Sequence, residues 1–287
     1  MIKIFRQYPV INGFLQVPPN KESERTTYIV GNRIKNPIGL ALSNLNGFGG
    51  DGTGWNIVQN GTFSPVVSSD VLQITKSTVE STKNAFWNTA KMYVGKAFSI
   101  SYTYRSGQDT DQADGIAFVV QNSPAGLSAI GDQGSGLGYV SIPNSFAYAT
   151  NIYNGGGSFS TGASALSTGG AAFSWNNTSP LNLRNLNPKD ITITYDPTAQ
   201  TFTELIVDKI AGNSYSKTYG NINIASIVGS DQAYYGFTGG TGGSTADQYI
   251  SNFKINIDAF GSLDSSLTKD VVIKNNTEYL EFLTAQV

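Results

Sequence analysis

The sequence predicts an all-β fold in which two antiparallel sheets pack face to face as a sandwich. Large residues recur at every second position in several segments, which is the spacing of a strand with one buried face. Glycine makes up 32 of the 287 residues, and serine, threonine and asparagine are abundant, so turns are frequent and helices are disfavoured. Many strands joined by glycine-rich turns are typical of a two-sheet sandwich.

The first part of the chain, residues 1–39, is predicted to be an N-terminal arm outside the main domain. Residues 1–35 contain six Lys or Arg and two Glu, a local balance of +4, so the other 252 residues sum to -6. This asymmetry and the absence of clean periodicity favour a separate segment. Two interpretations stay open, a loosely docked strand or solvated leader and an assembly arm that lies on a neighbouring subunit.

The main domain is predicted to span residues 40–260, where the period-two pattern is clear. Residues 98–104 place four large side chains on one face and Ser or Thr on the other, as expected of a half-buried strand. Residues 191–195 and 201–207 repeat this pattern on either side of turn residues 196–199. We interpret this pair as an antiparallel hairpin.

Two more segments fit the strand pattern, which ends near residue 260. Residues 116–120 are continuously apolar, which suits a strand that is buried on both faces, and residues 249–257 alternate once more. The C-terminal tail, residues 261–287, contains a short β-like segment at 271–273 and a helical pattern at 277–284. Neither segment is long enough to form its own core, so the tail must pack on the sandwich, bind a partner or remain mobile.

The composition excludes several classes of function. The chain has no Cys and no His, so it cannot form a disulfide, a thiolate nucleophile, a His-based triad or an ordinary zinc site. Its net charge of -2 argues against a basic nucleic-acid surface. A pair of facing carboxylates is the remaining route to catalysis, and no strand pattern places such a pair. We therefore expect no enzyme activity and no nucleic-acid partner.

The sequence also argues against membrane insertion and classical export. No stretch approaches the roughly 18 apolar residues of a membrane span. The first twenty residues lack the basic start, apolar run and cleavage site of a secretory signal. We expect no membrane span and synthesis in the cytoplasm, with the final location left open between a virus or phage particle and non-classical export.

Two glycine-rich segments match binding motifs without the context that those motifs require. Residues 47–52 fit the G-x-G-x-x-G pattern of nucleotide-binding loops, but residues 55–58 look like a strand where a helix is needed. Residues 109–115 resemble the start of an EF-hand loop, but the third acid falls one place late and a strand follows. We interpret both segments as loops that lead into strands.

A set of ordered motifs resembles the L-type (legume) lectin family. The segments are NAFWN at residues 84–88, ADGIAFV at 113–119, GSGLGY at 134–139 and YGFTGGTG at 235–242. The resemblance covers roughly residues 40–260. It implies a jelly-roll, concanavalin A-like sandwich that binds sugar in a shallow site on loops at one edge.

The resemblance implies a set of sugar-binding residues. In the family an Asp that follows a cis peptide accepts hydrogen bonds from two sugar hydroxyls, and here that residue is Asp114. A backbone amide near Gly134 or Gly136 and the side chain of Asn154 complete the polar set, while Tyr153 is placed to pack on the sugar ring. From the residues alone, two other interpretations stay open, Asp114 as a turn carboxylate that caps backbone amides and Tyr153 as a packing residue.

The resemblance also implies a specificity loop at residues 240–246. Thr241, Gly242 and Gly243 lie where family members vary to select their sugar. Shallow glycan sites bind weakly, with about -4 to -8 kcal/mol, so useful affinity needs several copies. We therefore expect glycans as partners and a homo-oligomer or larger assembly, built through the terminal segments.

The chain departs from the family at its metal site. Family members hold calcium and a transition metal with an E-x-D-x-x-x-N run, a further Asp and often a His. Aligned on Asn154, this chain has Tyr148 and Thr150 in place of the first two acids and Phe159 near the place of the third. Calcium prefers six to eight hard oxygens with sufficient anionic charge, so we expect no metal and no other cofactor.

Two functional hypotheses follow. The first is a carbohydrate-binding, lectin-like protein that is multivalent or displayed on a particle or surface. The second is a structural or assembly protein, such as a virion or phage component, that keeps the sandwich without binding sugar. The family-like Asp114 segment favours the first, and the missing acids together with the basic arm favour the second.

Overall fold

The computed structural model describes residues 10–11, 14–15, 44–107 and 112–257 of the chain. The sandwich lies in one compact unit, Leu42–Ala259. The predicted arm, apart from two short paired strands, and the whole predicted tail lie outside the described residues. The strand-like segment at 271–273 and the helical pattern at 277–284 therefore stay predictions.

The described residues form eighteen strands and one α-helix, α1 (Ile224–Val228). The strands are β1 (Val10–Ile11), β2 (Phe14–Leu15), β3 (Asn44–Asn46), β4 (Trp55–Asn60), β5 (Val66–Ser68), β6 (Val71–Thr75), β7 (Lys83–Asn88), β8 (Met92–Tyr93), β9 (Phe98–Ser106), β10 (Gly115–Gln121), β11 (Ser145–Asn151), β12 (Ala163–Thr168), β13 (Asn176–Asn177), β14 (Lys189–Asp196), β15 (Thr201–Asp208), β16 (Asn213–Tyr219), β17 (Gln232–Gly240) and β18 (Gln248–Ile257). Helix α1 is too short to span a bilayer, and no other helix in the described ranges could do so.

Two antiparallel sheets make up the sandwich, as the sequence predicts. The first sheet has the order β13-β12-β11-β10-β17-β7-β4, with β8 paired to β17. The second sheet has the order β16-β15-β14-β9-β18-β6-β5, with β3 paired to β18. Some neighbours are consecutive strands, as in β14 beside β15, and others come from distant parts of the chain, as in β10 beside β17, so each sheet combines local and non-local pairings.

The strands that the sequence predicts are confirmed. Strand β9 buries every second residue, β14 and β15 form the expected hairpin, and β10 is buried on both faces. Strand β18 follows the predicted alternation except at Asn252, which has a φ of +53°. The pairing of β18 with β9 shifts register at this point, so the bulge restores Phe253 to the buried face.

Aromatic side chains fill the space between the two sheets. Phe48 stacks on Phe253 with ring centroids 5.2 Å apart, and Trp55 stacks on Phe86 at 4.9 Å. Phe237 meets Phe253 edge to face at 5.2 Å. Such rings bury large apolar areas and prefer offset or edge contacts, so this cluster fixes the spacing of the sheets.

A second apolar layer covers the outer face of the first sheet. Residues 122–144, which we name the cover loop, connect β10 to β11 and pack Leu137 and Tyr139 against small side chains such as Ala117. The indole Nε1 of Trp87 donates to the carbonyl of Ala129 at 2.8 Å. Because alanines on this face leave room for the loop, the loop lies close to the sheet. Its glycine turn, residues 134–138, is thereby held at one end of the sheet.

A buried ion pair that the sequence did not predict fixes the entry to β14. Lys189 Nζ lies 3.3 Å from Asp208 Oδ2, and both side chains are almost fully buried. Asp208 also accepts from Asn185, Asn187 and the backbone N–H of Ala211. Burial acts to raise the pKa of Asp208, but these hydrogen bonds and Lys189 outweigh it and lower the pKa to about 2.

We predict that Asp208→Asn destabilises the fold by about 3–5 kcal/mol, because Lys189 then stays buried without its counter-charge. The pKa of Asp208 is lower in the folded state than its ordinary 3.8, so its stabilisation is present above about pH 4 and is lost as pH falls toward 2. Urea unfolding of both proteins between pH 7 and pH 2 measures this effect. Asp190→Asn is the matched control, because its pair with Lys209 is exposed and is worth less than about 1 kcal/mol. Equal losses in the two variants would contradict the prediction.

Candidate functional site

Asp114 lies at one end of the first sheet, directly before its central strand β10. Its backbone N–H donates to the carbonyl of Gly240 at 3.1 Å, and its carbonyl accepts from the N–H of Ile152 at 2.9 Å. The peptide between Ala113 and Asp114 is cis, which is the geometry that the sequence resemblance implies. Asp114 is therefore held between the end of β17 and the segment that follows β11.

Glycine backbones from two loops face the Asp114 carboxylate. One is Gly134 in the cover loop, and the other is Gly242 in the Gly242 loop, which we define as residues 241–247 between β17 and β18. A methyl group on Gly242 would lie 3.4 Å from Asp114 Oδ2, and one on Gly134 would lie 3.8 Å from it. The N–H of Gly134 donates to the carbonyl of Thr241 at 3.2 Å, which joins the two loops. The absence of side chains keeps the space beside the carboxylate open.

The Asp114 carboxyl is buried without a full set of partners. The residue is 7% exposed, and its Oδ2 makes no hydrogen bond to any group in the described ranges. Burial raises the pKa of Asp114 to about 6, with a smaller opposing effect from the Gly242 backbone. An unsatisfied buried acceptor costs free energy that a ligand hydroxyl can recover by donating to it.

A third loop, residues 152–162 between β11 and β12, brings Asn154 and Tyr153 to the same end. Ile152 in this loop is the residue that donates to the Asp114 carbonyl. Asn154 precedes a 3-10 turn, and its carbonyl accepts from the N–H of Phe159 at 3.1 Å. Its side-chain Oδ1 is buried and makes no hydrogen bond to a described residue, while Tyr153 is 44% exposed. The loop thus offers one free amide oxygen and one exposed aromatic face.

The other residues predicted from the sequence have different surroundings. Gly136 is buried in the cover loop, and a methyl group there would lie 2.8 Å from the side chain of Asp132. Thr241 is fully buried, and its hydroxyl is engaged by Val79 and Thr82 at 2.9 and 2.7 Å. Gly243 is exposed, and a methyl group there would have no described atom within 4 Å. The structure brings Asp114, Gly134 and Gly242 together, while Gly136 and Thr241 shape the loops around them.

The positions at which the resemblance implies metal ligands carry neutral groups. Tyr148 and Thr150 are buried on β11, and the Thr150 hydroxyl makes no hydrogen bond to a described residue. Glu204 on β15 approaches this region and accepts from Ser164 at 2.9 Å and from Tyr219 at 2.7 Å. Burial raises the pKa of Glu204, with partial opposition from these hydrogen bonds.

This donor set does not fit a calcium and transition-metal pair. No group of three or more His, Cys, Asp or Glu side chains converges within the described residues. Glu204 supplies one carboxylate, and one of its oxygens is already engaged by two hydroxyl donors. A pair of divalent cations needs several anionic ligands, and Tyr and Thr hydroxyls do not supply that charge. Residues 108–111, with Asp109 and Asp111, lie outside the described residues.

Two buried polar residues near the site were missed by sequence reasoning. Glu204 lies between Phe202 and Ile206 on the buried face of β15, and Gln248 precedes Ile250 on the buried face of β18. Each is therefore a polar residue at a core position of an alternating strand. This break in the alternation is the signal that identifies them.

Comparison with solved structures identifies the architecture. The fold is that of the legume lectins. Lectin II from Ulex europaeus is similar with a TM-score of 0.62 and 16% identity, covering 75% of this chain and 97% of that chain. Winged bean acidic lectin in complex with methyl-α-D-galactose is similar with a TM-score of 0.61 and 16% identity over 74% and 96% of the two chains.

A third similar structure carries a different description. Arcelin-5, a lectin-like defense protein from Phaseolus vulgaris, has a TM-score of 0.58 and 16% identity, covering 75% of this chain and 99% of that chain. No protein-family model and no curated protein matches the sequence. The likeness therefore lies in the fold, in agreement with the predicted jelly-roll sandwich, and does not extend to close sequence relationship.

We predict that the Asp114 carboxyl titrates near pH 6, because burial disfavours its charged form. Carboxyl ¹³C NMR measures the midpoint, with Asp114→Asn to assign the signal. Since the folded pKa lies above the ordinary 3.8, the stabilising contribution of Asp114 is present below about pH 4 and is lost as pH rises through 6. The unfolding free energy of the parent relative to that of Asp114→Asn should therefore be highest below about pH 4 and should fall as the pH rises through 6. A midpoint near 4 would contradict the burial seen here.

Proposed function

We propose that this protein binds glycans at one end of the first sheet, with Asp114 as the central acceptor for sugar hydroxyls. The observation that carries the proposal is the buried Asp114 carboxylate, whose Oδ2 has no hydrogen-bond partner within the described residues and faces two glycine loops. An ionised carboxylate only accepts hydrogen bonds, and its bonds to hydroxyls are charge-assisted. Vicinal hydroxyls of a sugar supply donors of this kind.

Two residues of the loop that follows β11 support a sugar as the ligand. Asn154 Oδ1 is a second buried acceptor without a partner among the described residues, and Tyr153 offers an exposed ring. Unpaired amide and carboxylate oxygens, with an exposed aromatic ring on the same loop as the amide, suit a ligand with several hydroxyls and an apolar ring face. Winged bean acidic lectin was solved with methyl-α-D-galactose, which makes galactosides the first ligands to test here. The proposal includes no reaction.

The proposed binding does not depend on a metal. Neutral Tyr148 and Thr150 stand where the resemblance implies acids, and Glu204, a carboxylate in that region, is engaged by hydroxyl donors. The backbone contacts of Asp114 with Gly240 and Ile152 involve protein groups alone. We therefore expect glycan binding to persist after treatment with chelator.

The proposed site is small and lies on loops, so a single copy binds weakly. Affinities of about -4 to -8 kcal/mol per site become useful when several sites act together. We propose that the terminal segments, residues 1–39 and 261–287, assemble several copies or attach the protein to a particle. Sedimentation velocity of the full chain and of a chain that lacks these segments tests this proposal.

The second candidate function is an assembly protein that uses the sandwich without binding sugar. The basic balance of residues 1–35 against the acidic remainder favours it, because opposite charges promote association between copies. A glycan array that shows no binding at any pH, together with loss of assembly after deletion of residues 1–35, would favour this candidate over the first.

We predict that Asp114→Asn lowers glycan affinity at least tenfold, because the amide replaces the charged acceptor with a partial donor. Binding of the multimerised protein to a glycan array, with methyl-α-D-galactose as competitor, measures this loss. Affinity of the parent should be highest well above pH 6 and should fall as the pH drops through 6, since protonation of Asp114 removes the acceptor. The same array with chelator should give unchanged binding. Binding that disappears with chelator would refute the metal-free site.

We predict that Gly242→Ala weakens glycan binding several-fold, because its methyl group would occupy the space 3.4 Å from Asp114 Oδ2. Gly243→Ala is the matched control, since no described atom lies within 4 Å of its methyl position. Both variants should keep the parent's urea midpoint. Equal binding by the two variants would place the ligand away from this loop.

A further inference from the structure

A polar side chain crosses the apolar core beneath Asp114. Gln248, the first residue of β18 in the second sheet, is fully buried. Its Nε2 donates to the carbonyl of Gly115 in the first sheet at 3.2 Å and to Thr75 Oγ1 at 2.9 Å. Its Oε1 accepts from the hydroxyl of Tyr104 at 3.0 Å. Both amide hydrogens and the amide oxygen are thus engaged, which offsets the cost of placing a glutamine in the core.

Gly115, the residue that Gln248 contacts, follows Asp114 in the chain and is packed tightly against strand β11. A methyl group at Gly115 would lie 2.0 Å from the carbonyl oxygen of Thr150, so β10 and β11 approach as closely as backbone allows. Gln248 contacts the same residue from the opposite sheet. The backbone that carries the Asp114 carboxylate is therefore fixed from two directions.

The same network reaches the loop on the other side of the carboxylate. Thr75 Oγ1 accepts from Gln248 and donates to the carbonyl of Ala246 at 2.7 Å. Ala246 is buried and belongs to the Gly242 loop, whose backbone faces Asp114. The side-chain amide of Gln248 thus links Gly115, at the start of β10, to the Gly242 loop.

We propose that Gln248 is the positioning residue of the glycan site, holding Gly115 and the Gly242 loop in register so that the Asp114 carboxylate stays between them without a bound cation. This inference rests on the proposed function, since it assigns how that site is built. A hydrogen bond in a water-free interior is strong and directional, so a satisfied network can fix geometry that apolar contacts would leave loose.

The experiment compares Gln248→Met with Gln121→Met. Gln121 is also fully buried and lies at the other end of β10, where its Nε2 donates to the carbonyl of Gly126 at 2.8 Å and its Oε1 accepts from Ser123. Both changes replace a buried amide by an apolar chain of similar length and remove hydrogen bonds from the same strand. They differ in where they act on β10, because Gln248 contacts it from β18 at Gly115, next to Asp114, whereas Gln121 is the last residue of β10.

Two readouts separate positioning from general stability. The first is the ¹³C titration of the Asp114 carboxyl, which needs no ligand, and the second is affinity for methyl-α-D-galactose or the best sugar on the array. In Gln248→Met we expect the titration midpoint to move away from the parent's and glycan affinity to fall at least tenfold. In Gln121→Met we expect both readouts to match the parent, although urea unfolding shows a loss in each variant.

The outcomes are decisive in each direction. If Gln248→Met changes only the urea midpoint, or if Gln121→Met moves the Asp114 titration equally, Gln248 is a structural core residue and the proposal is wrong. If the parent binds no sugar but the titration moves in Gln248→Met alone, the positioning role stands and the proposed glycan function fails. If Gln248→Met does not fold, Thr75→Val replaces it, because it keeps the side-chain shape and removes the link between Gln248 and Ala246.

Discussion

Close backbone packing around a single buried carboxylate is the constraint on which the site depends. Asp114 is held by the carbonyl of Gly240 and the N–H of Ile152, while Gly134 and Gly242 face its carboxylate without side chains. Three loops from different parts of the chain must therefore converge within a few ångströms of one charged group. The aromatic core and the cover loop make this possible, because they fix the sheet and the glycine turn to each other.

Most of the strands were predictable, because the pattern of apolar and polar residues along each one indicates which of its faces is buried. Alternation in β9, β14 and β15 and the continuous apolar run of β10 determine which faces are buried. Strand order was not predictable in this way, since β10 pairs with β17 across more than a hundred residues of sequence. Periodicity specifies a face and carries no information on the neighbouring strand, so the strand order came from the structure.

The site was predictable in part. Asp114, Gly134 and Gly242 were indicated by short motifs whose glycines allow close approach, and these residues do lie together. The roles of Glu204 and Gln248 were not indicated, because a polar residue within an alternating strand has no distinct meaning until its partners across the core are known. Side chains that bridge two sheets depend on tertiary contacts, and one sequence does not encode these in any local pattern.

The cover loop has a consequence for how the protein opens. Its apolar contacts with the outer face of the first sheet form a cluster separate from the core between the sheets. Layers with separate cores can exchange their amides with solvent as distinct cooperative units. Detachment of the cover loop would withdraw Gly134 from one side of Asp114 while both sheets stay intact, so a local opening can expose the carboxylate to solvent and leave the sandwich folded.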